Sequence, residues 1–360
     1  MNLLTKLLGS VSIKLTPVTA RRFDTPLPPK PLLNPLTVSV VVVTFGSESR
    51  EASLRQCIAA IATQTIKPKE VIIVDDGQIN VVRFQQQLDE AGIKLVYIHK
   101  NTPGISQSRN LGIEQAIGEV VAFVDDDVVL AANYLEEILR VFTVDQEKKI
   151  GGVDGIYATA PKTTTQKIGE IVFALRINNH NDGQLYPNGV YHKINHATTT
   201  EPTYTDIFGG IACFRQEVLQ RFHFDEVNFP GYSPGEDADL AYRVSREYRL
   251  ITTPYAIFTH ERGHNGRPSL FRLAFMKTNN VYRFMRKNTR MGLVNHLLMG
   301  WYFQGKLIEA AIRTVLSPSD LTKNLLVYWG YQAGIAACLL GIPAESSTAA
   351  KLANWAARSN

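Results

Sequence analysis

Short runs of β-branched residues alternate with helical segments in the first part of this chain, and this alternation limits its fold more than any other feature. The first run, Val38 to Val43, is almost entirely valine, which predicts a strand buried on both faces of a sheet. Similar runs follow at 71–74, 94–98 and 120–124, and segments with helical periodicity separate them at 51–65, 81–91 and 104–117. Strands that alternate with helices form parallel sheets with right-handed crossovers, so we expect an α/β fold.

Polar side chains follow these strands at the point where each strand ends. They are Thr44 and Phe45 after the first strand, Asp75 and Asp76 after the second, and Asp125, Asp126 and Asp127 after the fourth. The carboxyl ends of parallel strands share one edge of the sheet, where ligands bind, so these residues should lie close together. Three adjacent carboxylates repel one another, and a divalent cation with oxygen ligands would relieve that repulsion. The alternative is an acidic turn surrounded by solvent.

Length, charge and cysteine content exclude several classes of protein. A chain of 360 residues suffices for one large domain or two. The net charge of +5 comes without a dense stripe of Lys, Arg and aromatic residues, so nucleic acid is not an expected partner. An anionic ligand or an anionic membrane surface fits this excess better. The three cysteines, Cys57, Cys213 and Cys338, form no CxxC pair, which fits a reducing cytoplasm and argues against a zinc site.

The two ends of the chain differ from its centre. Residues 1–15 place leucines on one face of an amphipathic helix, which either lies on a membrane surface or packs on the protein. A Pro-rich stretch, expected as an extended linker, completes segment 1–36. The α/β domain is expected over residues 37–265 and a helical region over 266–360. Membrane contact is an option for both ends.

The stretch 325–342 carries no charge and has the length of a short membrane span. Gly330 and Gly334 form a GxxxG step that permits close helix packing. Because three glycines and a glutamine lower its hydropathy, we expect a buried or membrane-surface helix rather than a span. Trp301 and Trp329 are expected in the core rather than as platforms for a sugar.

Further motifs follow a polar middle section of weak periodicity, residues 155–205. Phe208, Gly209 and Gly210 form an FGG sequence, and Glu236-Asp237 opens a helix predicted over 237–248. A strand predicted over 251–257 leads to the sequence HERGH, which holds His260 and His264. Each motif is common by itself, so their order carries the information.

That order resembles the family-2 glycosyltransferases over roughly residues 38–290. The sequences that carry the resemblance are VVVTF, VIIVDDG, GISQSRNLGI, the DDD triplet, FGG, GEDADLAYR and the histidine near 260. The resemblance implies a GT-A fold, which is a Rossmann-like, mostly parallel sheet with flanking helices. It also implies transfer of a sugar, with inversion, from a nucleotide-diphosphate sugar to a glycan or lipid-linked hydroxyl. UDP is the first expectation for the nucleotide.

The resemblance also assigns roles to individual residues. The donor nucleotide and its sugar would contact Thr44, Phe45, Asp75, Asp76, Gly104, Arg109, Asp125 and Asp126. Asp127 would bind Mg²⁺ or Mn²⁺, with His260 or His264 as a further ligand. Asp237 would be the general base, beside Glu236, and Phe208, Gly209 and Gly210 would line the acceptor side.

Two other classes of function compete with this interpretation. A nucleotidyltransferase would also use acids at this edge, but it would carry a Gly-rich basic loop where this chain has the short sequence TFGSESR. A non-catalytic binding module would be expected to lack the base or the metal acids, and both are present. The chain has neither a P-loop nor GxGxxG after a strand, which disfavours nucleotide hydrolysis and dinucleotide binding. The expected location is the cytoplasm, with the inner face of the membrane as an option.

Overall fold

The described part of the chain contains the whole predicted alternation of strands and helices. The structure is a computed structural model and describes residues 21–158, 172, 183–191, 194, 199–260, 268–316 and 318–341. The helix expected over residues 1–15 and the alternative ligand His264 lie outside these residues.

Four parallel strands form the first half of the sheet. They are β1 (Val38–Thr44), β2 (Glu70–Asp75), β3 (Lys94–His99) and β4 (Val120–Asp125), in the spatial order β3-β2-β1-β4. The helices between them are α1 (Glu48–Ala62), α2 (Val81–Glu90) and α3 (Ile105–Gln115). The register places Thr44 opposite Asp75 and Val43 opposite Asp125, so the acids after these strands meet at one edge, as the sequence predicts.

The second half of the sheet mixes strand directions. Its strands are β5 (Val128–Leu130), β6 (Ile150–Tyr157), β7 (Thr203–Thr205), β8 (Ala212–Arg215) and β9 (Arg249–His260), and its helices are α4 (Tyr134–Thr143), α5 (Gln216–Leu219) and α6 (Glu236–Val244). β8 runs antiparallel to both β4 and β6, and β5 and β7 run antiparallel to β9. The central strands are parallel, as expected. The second half is mixed, and the sequence does not show this because its strands pair with segments that are distant in the chain.

Alternate residues of β1 face two separate hydrophobic layers. Val40 and Val42 pack on the side of α1, α2 and α4, while Val41 and Val43 pack on the side of α3 and α6. Both faces of the central strands are therefore covered, which explains their continuous valine content. The Pro-rich segment also belongs to this packing, since Phe23 is buried and its amide donates to the Pro202 carbonyl at 2.9 Å. The described part of that segment contains several bends and an isolated bridge between Arg22 and Thr203, and it lies against the sheet.

Three helices follow the sheet and form a layer of their own. They are α7 (Leu270–Asn288), α8 (Leu293–Leu316) and, after a short 3-10 turn, α9 (Leu321–Leu340). α9 lies close against α7 at the two predicted glycines: a Cβ on Gly330 would lie 2.9 Å from Ala274 Cβ, and one on Gly334 would lie 2.8 Å from Thr278 Cβ. Among the helices of the described residues, none is long and apolar enough to cross a membrane.

The two tryptophans of these helices are not core residues. Trp301 is 48% exposed and Trp329 is 59% exposed, so the prediction that they pack in the interior is wrong. Leu297 and Leu325, one turn before them, are exposed as well, so an apolar side chain on a helix did not by itself indicate a position in the core.

Two helical glycines provide a test of the contact between α7 and α9. We expect Gly330→Ala to lower the free energy of unfolding by about 1–3 kcal/mol, because the new methyl group overlaps the Phe271 carbonyl. Gly300→Ala is the matched control, since a Cβ there meets nothing within 4 Å, and it should be neutral or stabilising by up to about 1 kcal/mol. Urea unfolding followed by circular dichroism measures both, and equal effects would show that the close contact is absent.

Candidate functional site

The acidic edge of the sheet is completed by a strand pair that brings His260 to it. β5 begins one residue after Asp127 and pairs with the end of β9, where Val128 lies opposite His260. Nε2 of His260 lies 2.6 Å from Oδ1 of Asp127. The sequence predicts both residues, but only this antiparallel register explains why they meet.

Asp125, Asp127 and His260 form a cluster suited to a divalent metal. Each offers one ligand atom, and these atoms lie within 4.8 Å of one another. Two carboxylate oxygens and one imidazole nitrogen are a donor set that Mn²⁺ accepts and that Mg²⁺ tolerates. The residues present therefore fit the metal that the sequence predicts.

Asp126, the middle acid of the triplet, faces away from this cluster. It accepts hydrogen bonds from Thr44 Oγ1 at 2.6 Å and from Arg50 Nε at 2.9 Å, and Arg50 Nη2 pairs with its other oxygen. Burial raises the pKa of Asp126, and Arg50 and Thr44 oppose that shift. Asp126 and Thr44 were predicted to contact the nucleotide, but the structure uses their polar atoms in this internal contact.

Arg50 is a residue that the sequence interpretation missed. It lies in the first turn of α1, directly after the loop that follows β1, and its Nη2 is 3.7 Å from Oδ2 of Asp127. One feature of the sequence could have indicated this role. Arg50 is the only cation in the segment TFGSESR that follows β1, and this segment meets the three acids at the same edge of the sheet. Repulsion in the triplet is thus reduced by the protein itself, whereas the sequence argument credited a metal alone.

Arg109 is a buried bridge between two acidic motifs. It was predicted to present its guanidinium to the donor, but its side chain is 1% exposed. Nη1 donates to Oε1 of Glu236 at 2.6 Å and Nη2 donates to Oδ1 of Asp125 at 3.0 Å. Burial works to lower the pKa of Arg109, but the charges of Glu236 and Asp125 outweigh it and the pKa is raised. Arg109 therefore stays charged and positions both acids.

Glu236 and Asp237 open α6 and have different surroundings. Gly235 occupies the N-cap position of the helix with a φ of +105°, which favours glycine, so Asp237 is not the capping residue. Glu236 is buried against Arg109, and burial, with a further contribution from Asp237, raises its pKa to about 7. Asp237 is only partly buried, and its Oδ1 accepts from the Ala238 amide at 2.8 Å. Asp237 is thus the more accessible of the two carboxylates.

The two acids after β2 also differ. Asp75 is fully buried, and four donors occupy its carboxylate: the amides of Gly46, Gly77 and Ile79 and the Tyr97 hydroxyl, at 2.7–3.0 Å. The structure thus makes Asp75 the organiser of this loop, whereas the resemblance placed it in contact with the donor nucleotide. Asp76 is only slightly more exposed, because it accepts from the Gly104 amide at 2.8 Å and the Ser108 hydroxyl at 2.9 Å and pairs with Lys100 at 2.9 Å. Phe45 is 50% exposed at the same edge, as expected for a ring that packs on a base.

The residues predicted on the acceptor side divide into core and surface. Phe208 is completely buried against Phe214, so it supports the loop and does not line an open site. Gly209 and Gly210 are partly exposed, and a Cβ on Gly210 would lie 2.8 Å from Nη2 of Arg109. Glycine at 210 thus lets the loop approach the Arg109 bridge closely.

A cavity of about 270 Å³ adjoins the start of α6. Its wall includes Gly235 and Ala238 from α6 and the aromatic residues Tyr191, Tyr302 and Tyr331. Burial, followed by the charges of Asp237 and Glu236, raises the pKa of Tyr191 well above its ordinary value, so Tyr191 stays a neutral phenol. No pattern in the sequence indicates a role for Tyr191, because it lies in the polar section 155–205, whose periodicity is weak.

Comparison with known proteins assigns the family. The family described as glycosyl transferase family 2 matches residues 39–222, which is half of the chain. The chain belongs to glycosyl transferase family 2. This membership argues against the nucleotidyltransferase alternative, and the matched range includes the DDD triplet, Arg109 and the FGG sequence.

Curated relatives match over about a third of the chain. A glucosyl-dolichyl phosphate glucuronosyltransferase of Haloferax volcanii is 36% identical over 110 residues, which is 30% of this chain and 34% of that protein. A putative glycosyltransferase, EpsH, of Bacillus subtilis is 32% identical over 104 residues, which is 29% of each chain. The chain thus spans about a third of the length of these relatives.

Solved structures support the GT-A fold. GalNAc-T7 with UDP, GalNAc and Mn²⁺ aligns with a TM-score of 0.53 at 14% identity, over 86% of this chain and 58% of that one. The mannosyltransferase PcManGT of Pyrobaculum calidifontis with GDP-Man and Mn²⁺ aligns with a TM-score of 0.51 at 16% identity, over 88% and 91% of the two chains. At these identities the likeness concerns the fold.

The Arg109 bridge leads to a prediction about stability. We expect Arg109→Met to lower the free energy of unfolding by about 3–5 kcal/mol, because it leaves Glu236 and Asp125 without their cation. Adding Glu236→Gln should restore part of this loss, because the amide leaves no buried charge at that position. Urea unfolding of the two single variants and the double variant measures the coupling.

A surface pair of the same type is the control. Arg221 lies 2.6 Å from Glu247, but the two side chains are 55% and 49% exposed. Arg221→Met should therefore change the free energy of unfolding by less than about 1 kcal/mol. If Arg109→Met were equally mild, the bridge would not hold the site together.

Proposed function

We propose that this protein transfers a sugar, with inversion, from a UDP-linked donor to a hydroxyl of a glycan or lipid-linked acceptor. The observation that carries the proposal is the cluster of Asp125, Asp127 and His260 at the carboxyl edge of the sheet. Family membership and the fold support it, as does the presence of nucleotides and Mn²⁺ in the two structural neighbours.

Donor binding is assigned to the edge formed by β1, β2 and β4. Phe45 offers an exposed ring to the base, and the Asp76 amide joins the two loops beside it by donating to the Thr44 carbonyl at 2.9 Å. Asp125, Asp127 and His260 would hold Mn²⁺ or Mg²⁺, which neutralises charge on the diphosphate as it leaves. Arg50 and Arg109 hold the acidic triplet in place through Asp126 and Asp125, and in this proposal neither arginine contacts the donor.

Asp237 is assigned as the general base. The attacking hydroxyl of the acceptor must lose its proton as the bond to the anomeric carbon forms. Asp237 is the more accessible carboxylate of its pair, while Glu236 is held by Arg109. Glu236 thus positions Arg109, through which it is linked to Asp125 in the metal cluster.

The acceptor is assigned to the side where the cavity adjoins α6. Aromatic rings such as Tyr191, Tyr302 and Tyr331 suit the apolar face of a sugar or the start of a lipid chain. Lys277 also lines this cavity, which favours an acceptor that carries an anionic group.

Nucleotide binding tests the donor side. We expect isothermal calorimetry to show binding of UDP in Mn²⁺ and little binding in EDTA. Asp127→Asn should weaken the binding by more than about 100-fold, because it removes a charged metal ligand. GDP and dTDP, measured in parallel, identify the base that the pocket accepts.

The matched control for this variant is Asp320→Asn, which changes an exposed acid in the turn before α9. It should bind UDP as the unmodified protein does. If none of the three nucleotides bound in Mn²⁺, the proposal would be overturned, and a non-catalytic binding module would be the better interpretation.

The base assignment makes a separate prediction. Asp237→Asn should retain binding of UDP and Mn²⁺ but lower the release of UDP from UDP-sugars by about 100-fold or more. Asp239→Asn is the comparison, because Asp239 is buried and pairs with Lys287 and Asn288. That variant should lower the unfolding midpoint without changing kcat, and unchanged turnover in Asp237→Asn would exclude it as the base.

A further inference from the structure

The C-terminal helices expose two apolar faces with the same pattern. In α8 the residues Leu293, Leu297 and Trp301 follow one another at intervals of four and are 59%, 64% and 48% exposed. In α9 the residues Leu321, Leu325 and Trp329 repeat this order and spacing and are 47%, 39% and 59% exposed. Residues four apart lie on one side of a helix, so each helix exposes two leucines and a tryptophan along one side. The indole N–H of Trp301 also donates to the Val172 carbonyl at 3.0 Å.

The apolar face of α8 continues well beyond its first three residues. Ile308, Ile312 and Val315 fall on the same side of the helix, and they are 43%, 49% and 76% exposed. The other exposed residues of this side are His296, Gly300, Gln304 and Ala311, so it carries no Asp, Glu, Lys or Arg side chain. Large exposed apolar areas mark surfaces that bind a partner or a membrane. The exposed apolar residues of α8 and α9 are together called the helical face.

The charge of this part of the chain identifies the partner. Residues 268–341 contain nine Lys or Arg residues and two acids, whereas the whole chain has a net charge of only +5. No acid occurs between Pro268 and Ile308. Lys287 pairs with Asp225 and Asp239, and Lys306, Arg313 and Lys323 pair with the two acids. Arg272, Arg286 and Arg290 are among the cations that are exposed. A strongly cationic region around an exposed apolar face matches a surface that is both anionic and apolar.

The opposite sides of the same helices explain why such a surface would matter. Tyr302 and Tyr331 point from α8 and α9 into the cavity beside α6. These helices therefore connect two features of the protein. Their exposed leucines and tryptophans lie on one side, and the cavity beside the start of α6, near Asp237, lies on the other.

We propose that the helical face docks this protein onto an anionic phospholipid bilayer. The leucines and tryptophans would enter the boundary between head groups and acyl chains, where tryptophan is favoured. The exposed side chains of Arg272, Arg286 and Arg290 would contact the anionic head groups. Docking does not depend on the nucleotide proposal, since none of these residues belongs to the donor edge.

Vesicle sedimentation with the full chain tests the proposal. We expect binding to phosphatidylcholine vesicles that contain roughly one-third phosphatidylglycerol, and at least about tenfold weaker binding to phosphatidylcholine alone. High salt should weaken the binding to the anionic vesicles as well. The double variant Leu297→Gln/Leu325→Gln should lose about 100-fold in partitioning, because each leucine contributes roughly a factor of ten or more when buried.

The matched control changes two equally apolar, exposed residues elsewhere. Leu33 is 86% exposed and Val227 is 87% exposed, and neither lies in the C-terminal helices. Leu33→Gln/Val227→Gln should bind vesicles as the unmodified protein does. Circular dichroism melting shows whether each variant is folded, so lost docking is not mistaken for unfolding.

Three results would overturn the proposal. One is an absence of binding to the anionic vesicles by the unmodified chain. Another is equal binding by the helical-face variant and the control variant. The third is a dimer, seen by analytical ultracentrifugation, that the helical-face variant dissociates while vesicles bind neither protein, since a second copy would then cover this face. Calorimetry with UDP is separate, so failure of docking and failure of the donor proposal are distinguishable.

Discussion

The buried ion bridge of Arg109 is the interaction on which the geometry of the site depends. Its guanidinium holds Asp125, at the end of β4, and Glu236, at the start of α6, which are more than a hundred residues apart in the chain. Removing one member of a buried group of one cation and two carboxylates strongly destabilises the folded state, because the remaining charges lose their partner. The three side chains therefore hold one another in place. The proposed metal site and the proposed base thereby acquire a defined separation. Gly210 belongs to the same arrangement, because a side chain there would meet Arg109.

The acidic triplet shows how a chain places three carboxylates together before any ligand binds. Asp125 pairs with Arg109, Asp126 with Arg50, and Asp127 with His260. Only Asp125 and Asp127 then point to a common position with His260, while Asp126 turns towards α1 and holds the loop after β1. Alternation along the triplet thus divides it into ligands and a structural anchor.

Acidic side chains and basic side chains are concentrated in different parts of the protein. The edge of the sheet gathers acids that suit a metal and a nucleotide, while the three C-terminal helices gather cations and exposed apolar residues. The cavity lined by Tyr191, Tyr302 and Tyr331 is bounded by the start of α6 and by the C-terminal helices. An acceptor held there would meet the donor on one side and the surface contacted by α8 and α9 on the other.

The sequence by itself determined the central fold and the members of the site. Valine runs with helices between them leave few alternatives to a parallel sheet, and such a sheet brings Thr44, Asp75 and Asp125 to one edge. What each residue does there was decided only by the tertiary structure. Asp75, Asp126 and Arg109 were expected to face the donor but are occupied by internal partners, Arg50 and Tyr191 were missed, and Trp301 and Trp329 face outward. The physical reason is that periodicity and motif order record which residues lie on a face or an edge, whereas hydrogen-bond partners and burial depend on contacts between distant segments.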